Sequence, residues 1–154
     1  MHGLTTSLRL LTSALAMSLG PVPAWAQSAP APASVPAQGP VLSLELSAAQ
    51  PSDKGCRLTF VASNALGAGL SKAAFEIALF NEAGGVDRLT VLDFKDLPAG
   101  KTKVTRFDLA GADCGKLSRV LINSATECAG DGVEPTACMR ALKTLTKTAI
   151  AFGV

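Results

Sequence analysis

Four cysteines are the chain's most concentrated source of chemistry: Cys56, Cys114, Cys128 and Cys138, separated by 57, 13 and 9 intervening residues. A thiol-redox centre wants two cysteines two residues apart, with the first thiolate stabilised at a helix N-terminus. A structural zinc site wants close pairs that each deliver two ligands from one turn, usually with histidine. Neither spacing is present. Met139 beside Cys138 adds one soft ligand for copper(I), a thin set for that metal. Disulfide bonding remains, and four cysteines admit three pairings.

Other stretches have the outline of a chemical motif without its parts. Ala99-Gly100-Lys101-Thr102 ends like a phosphate-binding loop, but that pattern needs glycine five positions before Gly100, where Lys95 stands. Gly67 to Lys72, "GAGLSK", begins like a dinucleotide fingerprint and has Lys72 in place of the third glycine. The chain's one histidine is His2. If the leader is removed, no imidazole remains to serve as the base of a Ser-His or Cys-His centre. Acid pairs for glycoside chemistry are possible by residue type. The carboxylates are nevertheless scattered, and tyrosine is absent while the one tryptophan is Trp25. Asp131 and Glu134, inside the Cys128–Cys138 stretch, could offer oxygen ligands to calcium, without a loop template for it. The sequence therefore implies no cofactor and no metal.

These residues must be positioned by something, and the first 26 are not part of it. His2 and Arg9 precede an apolar run of about ten residues, and Ala24-Trp25-Ala26 is the small-x-small pattern of signal peptidase cleavage. The run is too short to span a bilayer, which takes about 20 residues. A lone arginine points to the general secretion route. An uncut N-terminal anchor is the alternative. Residues 27–40, "QSAPAPASVPAQGP", are Pro- and Ala-rich and read as a semi-extended tether. Residues 41–154 suit one domain, with no transmembrane segment. Arg9 is the only charge removed with the leader, leaving 13 basic side chains against 12 acidic ones. That balance gives no electrostatic reason to expect nucleic acid. The expected location is periplasmic or secreted.

Within the domain, seven segments alternate in period two: 41–47, 56–64, 75–81, 86–94, 103–109, 117–127 and 146–152. Short connections such as "NEAGGV" and "DLPAGKT" have hairpin length and carry glycine. About seven strands at this spacing predict an all-β, immunoglobulin-like antiparallel β-sandwich. In this reading Leu58, Phe60 and Ala62 share one face, as do Phe75, Ile77 and Leu79. The Ala-rich stretch 71–84 has helical propensity as a competitor. A short helix is expected over 135–143, with Pro135 opening it and Glu134 near its N-terminus.

"IALFNEAGGV" followed by "LPAGKT" resembles the FxLYD-type immunoglobulin-like domain of bacterial envelope proteins. Ile77 stands for the first aromatic of that pattern, Leu79 matches it, and Phe80 and Asn81 stand for Tyr and Asp. The wider layout, over roughly residues 42–152, is similar to a family of small exported proteobacterial proteins labelled only "Tat pathway signal sequence domain protein". Its marks would here be Cys56, Leu97 to Thr102, Arg119 to Cys128, and Cys138; the twin arginine of the label is missing. The resemblance implies a fold and a compartment, and no reaction.

If the strands alternate in direction, the one opened by Cys56 and the one following Cys114 run the same way. Cys56 and Cys114 then share one end of the sandwich, and Cys128 lies a strand length away, roughly 30 Å. A disulfide needs Cα atoms within about 7 Å, which leaves Cys56–Cys114 and Cys128–Cys138. Of the six phenylalanines, Phe80 and Phe94 are expected opposite the inward set and so form a possible binding patch. "VLSLELS" is a further candidate, as a strand that donates or accepts edge pairing. The expectation is an exported, non-catalytic binding or accessory module of the cell envelope, whose partner is an envelope protein or a small ligand. The alternative is an enzyme subunit, or a carboxylate-only hydrolase acting with a partner.

Overall fold

The structure is a computed structural model that describes residues 39–154. The expected signal peptide and the tether up to residue 38 lie outside the described residues. Eight strands form two four-stranded sheets packed face to face: β1 (Val41–Ser52), β2 (Gly55–Ala65), β3 (Leu70–Asn81), β4 (Val86–Leu97), β5 (Thr102–Ala110), β6 (Leu117–Ala129), β7 (Leu142–Thr146) and β8 (Ala151–Gly153). Sheet A has the order β5-β2-β1-β7 and sheet B the order β4-β3-β6-β8. Strands 1, 2 and 5 in one sheet and 3 and 6 in the other follow the immunoglobulin-like distribution, with strand 4 added at the edge of the second sheet.

The alternation seen in the sequence becomes burial. Leu42, Leu44 and Leu46 of β1 point inward, as do Leu58, Phe60 and Ala62 of β2 and Phe75, Ile77 and Leu79 of β3, all at most 1% exposed. Each large side chain so buried contributes about 1.5–3 kcal/mol. Phe60 meets Phe94, Phe107 and Phe152 edge-on, with ring centroids 5.7, 5.9 and 5.4 Å apart. Residues 71–84 form strand and hairpin: pairing β3 with both β4 and β6 outweighs their helical propensity.

Four expectations need correction. The sandwich is not wholly antiparallel, because β7 runs parallel to β1 and β8 parallel to β6. The last expected strand, 146–152, is instead mostly the turn that carries the chain from the end of β7 in one sheet to β8 in the other. Between them the Thr146 hydroxyl accepts the Thr148 N–H at 3.1 Å and donates to the Ile150 carbonyl at 3.1 Å, so side chains take over the backbone's pairing and turn the chain. The helix is only α1 (Ala137–Arg140), cut short because Ala141 already gives its carbonyl to the Leu42 N–H at 2.9 Å. "VLSLELS" is not an edge either, since β1 lies between β2 and β7.

The two disulfides are Cys56–Cys114, with Cα atoms 5.0 Å apart, and Cys128–Cys138, at 5.9 Å, as the strand directions require. The first joins β2 of sheet A to the 3-10 turn (Cys114–Lys116) that leads into β6 of sheet B. The second ties α1 back to the end of β6. Pro98 to Lys101 form the turn between β4 and β5, with Gly100 at φ 69° and its N–H donated to the Asn64 carbonyl at 2.7 Å. Buried Asn64 in turn donates to the Leu97 and Ala68 carbonyls at 2.7 and 2.9 Å, fastening the β2–β3 loop to that turn.

Candidate functional site

The pleat sends alternate residues of every strand to the outside, and the two outer faces differ. On sheet A, cross-strand pairing sets Val104, Val61, Glu45 and Leu145 in one row. Glu45 separates the apolar members and holds Lys147 at 3.3 Å. The neighbouring rows are polar. The Ser63 and Thr102 hydroxyls are hydrogen-bonded at 2.7 Å, and Arg57 forks onto Asp108 at 2.9 and 3.1 Å. That hydrogen bond holds the Asp108 carboxyl below the usual aspartate value and raises the Arg57 guanidinium.

On sheet B, the same pairing sets Val86 beside Phe80, and Leu89 beside Ala78 beside Leu121, with Val91 next to Glu76 in the following row. Val86, Leu89 and Val91 are 54%, 55% and 50% exposed. Ala78 beneath them is buried, and Phe80 and Leu121 are half-buried. Together these side chains make one contiguous apolar platform. Arg119 closes one side with its guanidinium over the Phe80 ring, 5.7 Å from the centroid, a cation–π contact. Glu76, which accepts from the Asn123 amide at 2.5 Å, closes another.

Phe80 therefore lies in an outward apolar patch, as its position opposite the inward set predicts. Phe94 does not: it is 1% exposed and packs edge-on against Phe107 at 5.1 Å and Phe75 at 5.9 Å. The reason is that "LTVLDF" is apolar in both phases. Leu92 and Phe94 take the inside, which puts Leu89 and Val91 outside, and hydrophobicity alone does not say which pair faces which way. Apolar residues in both phases of one strand were nonetheless the signal that its outer face would be apolar.

β4 is also a sheet edge, facing β5 across the open seam of the sandwich. Two cations bridge that seam. Arg88 Nη1 donates to the Ala110 carbonyl at 2.7 Å, and Lys103 Nζ donates to the Phe94 and Asp96 carbonyls at 3.2 and 3.0 Å. Asp96 is held below the usual aspartate range by Lys103, and Asp93 by Lys95. Lys95 is a bulge with φ 62°, its N–H accepted by Asp93 at 2.9 Å. Thr105, on β5 between these anchors, keeps a buried hydroxyl without a partner.

Two cavities open elsewhere. One, of about 330 Å³, lies between the β2–β3 loop and α1, with Leu66, Val133 and Ala137 in its wall and Glu134 and Arg140 on its rim. The other, of about 320 Å³, includes Asn81, Asp87 and Asp113. Asp131 and Glu134 are both exposed, and among the described residues no three His, Cys, Asp or Glu side chains stand where they could jointly hold a metal ion. No helix among the described residues is long and apolar enough to cross a membrane.

No protein-family model matches the chain, and no curated protein matches it. Among solved structures, the Salmonella enterica trimeric lipoprotein SadB is similar with a TM-score of 0.40 and 20% identity, over 46% of this chain. The chain covers 40% of that protein's length.

Proposed function

We propose that the protein is a non-catalytic binding or accessory module that works outside the reducing cytosol and docks its partner on the outer face of sheet B. The observation that carries this reading is the platform of Val86, Leu89 and Val91 around Phe80 and Ala78, half-exposed on a sheet whose other side already fills the core. A sandwich needs one apolar side per sheet, so the second apolar side has no role in folding and is of the kind that marks an interface. Both cysteine pairs are oxidised, which fits an exported chain in the periplasm or beyond. The similarity to small exported proteobacterial proteins and to FxLYD-type envelope domains fits the same setting.

The competing reading, a carboxylate-only hydrolase, would use Asp87 and Asp113, which share a cavity. Such an enzyme needs one of the two as proton donor. Asp87 instead accepts from Arg88 Nε at 2.8 Å, and Asp113 accepts the Gly115 N–H at 2.9 Å with Lys116 3.7 Å away. Both are already engaged as hydrogen-bond acceptors within their own loops.

The test uses two matched positions. A photo-crosslinking side chain replaces Leu89 on sheet B or Val104 on sheet A, which are 55% and 59% exposed. Irradiation of expressing cells should give discrete adducts from position 89 and none from 104. Equal labelling from both, or none from 89, rejects the reading.

A further inference from the structure

The cavity of about 330 Å³ between the β2–β3 loop and α1 is held open by walls that are each fixed from behind. Asn64 ties down the β2–β3 loop: its side chain accepts the Leu66 N–H at 3.0 Å and donates to the Ala68 carbonyl at 2.9 Å. α1 is tied by the Cys128–Cys138 bond, and Ala141 after it accepts the Leu42 N–H at 2.9 Å. The two loops touch at Gly69 and Gly130, where a Cβ on Gly130 would strike the Gly69 carbonyl. They can therefore neither part nor slide to close the gap. Ala68, Ala137 and Ala141 in the lining end at Cβ and do not fill it. The space is preformed, as small-ligand sites usually are.

The lining narrows what fits. Leu66 and Val133 give it apolar surface, and no aromatic ring lines it for a sugar or a nucleobase to stack on. Glu134 and Arg140 place one charge of each sign on the rim, and among the described residues neither has an ion-pair partner. Arg140 Nη1 donates to Thr136 Oγ1 at 3.3 Å, which steadies the guanidinium and leaves its other N–H groups to donate. A lone anion on Arg140 would meet Glu134, and a lone cation on Glu134 would meet Arg140. Charge complementarity is satisfied by a ligand with a negative end, a positive end and a small apolar middle.

We infer that this cavity binds a short apolar peptide with free ends, of about two to four residues, its carboxylate on Arg140 and its ammonium on Glu134. The volume lies near the lower bound of ligand pockets, about 300 Å³, which suits such a peptide and not a folded partner. The site shares no residue with the platform on sheet B, so it stands or falls independently of the docking face.

The test follows backbone amide signals of the purified protein by nuclear magnetic resonance while the tripeptide Ala-Val-Ala is added. Saturable shifts should appear at Leu66, Ala68, Val133 and Ala137. Amidating the peptide's C-terminus should weaken binding about fivefold, and acetylating its N-terminus should do the same, as expected for losing one exposed charge pair. In Arg140→Met the amidated and free-acid peptides should bind alike while acetylation still weakens binding; in Glu134→Gln the pattern should reverse. Both side chains are exposed, so neither substitution threatens the fold. No saturable shift up to about 10 mM peptide, or equal binding of all three forms to the wild type, overturns the inference. Sensitivity to amidation alone would assign the cavity to the C-terminus of a longer chain, which also overturns the free-ended ligand. So would a blocking effect that survives in the matching variant.

Discussion

The outer faces of the two sheets stand on equally apolar inner faces and meet water differently. On sheet A the exposed apolar side chains do not adjoin one another: Val104 meets only half-buried Val61, between rows holding Arg106 and Thr102, and Leu145 lies next to Glu45. The polar groups there satisfy one another, as in the Arg57–Asp108 fork. On sheet B the apolar residues adjoin, row upon row, and the polar groups retreat to the margins as Arg119 and Glu76. The inner faces are under the same demand, since Phe60 of one sheet and Phe94 of the other touch in one cluster. This difference between the two outer faces is what the proposed docking on sheet B rests on.

The contrast is sharpest if the two sheets act as one rigid body, and the Cys56–Cys114 bond is what joins them covalently. Replacing both of these cysteines by alanine is expected to cost about 4 kcal/mol, because the bond closes a loop with a sequence separation of 58. The same change at Cys128 and Cys138, separated by 10, is expected to cost about 3 kcal/mol. Urea unfolding followed by circular dichroism measures both. A larger loss from the short loop would show that α1 and β7, rather than the clasp between sheets, hold the sandwich together.

The next effect separates the inside of sheet B from its outside. Phe94→Ala empties a site in the aromatic cluster and is expected to cost about 3 kcal/mol. Phe80→Ala trims a half-buried ring on the outer face and is expected to cost about 1 kcal/mol or less. Similar costs would mean that the platform supports the fold, which would remove the reason to read it as an interface.

How far these features were legible in the sequence depends on the phase of each strand. Where one phase is apolar and the other mostly polar, as in Leu58, Phe60 and Ala62 against Arg57, Thr59 and Val61, the inward face was readable and the structure agrees. The cysteine pairing was readable because it needed only strand order and direction, which the parallel edges β7 and β8 do not disturb. In β4 both phases are apolar, so the patch was anticipated at Phe80 while its main contributors, Leu89 and Val91, were not separable from core. The C-terminal segment failed for another reason. "TKTAIAF" alternates as a strand does, but its threonine hydroxyls bond the local backbone and break the ladder, an option that hydrophobic periodicity does not register.

The smallest expected effect is a difference in acid response, and it bears on the claim that sheet A's polar face is self-satisfied. The Asp108 carboxyl is held below the ordinary aspartate value of 3.8 by the Arg57 hydrogen bond. Asp93 and Asp96 are lowered likewise by Lys95 and Lys103. A carboxylate whose folded value lies below its unfolded one stabilises the fold fully above the unfolded value, and loses that contribution as pH falls through the folded one. With no histidine in residues 39–154 and all four cysteines in disulfides, stability should be level from about pH 5 to 8 and decline below about pH 4. Removing the cation by Arg57→Met releases Asp108 toward its ordinary value, so the decline below pH 4 should become shallower, with a slightly lower plateau above it. Lys95→Met should do the same for Asp93 at the margin of sheet B. All these groups are solvent-exposed and screened by salt, so the differences should shrink further in 1 M sodium chloride. An acid profile unchanged by Arg57→Met would mean that the fork on sheet A orders two side chains without stabilising the sheet. The polarity of that face would then serve solubility alone.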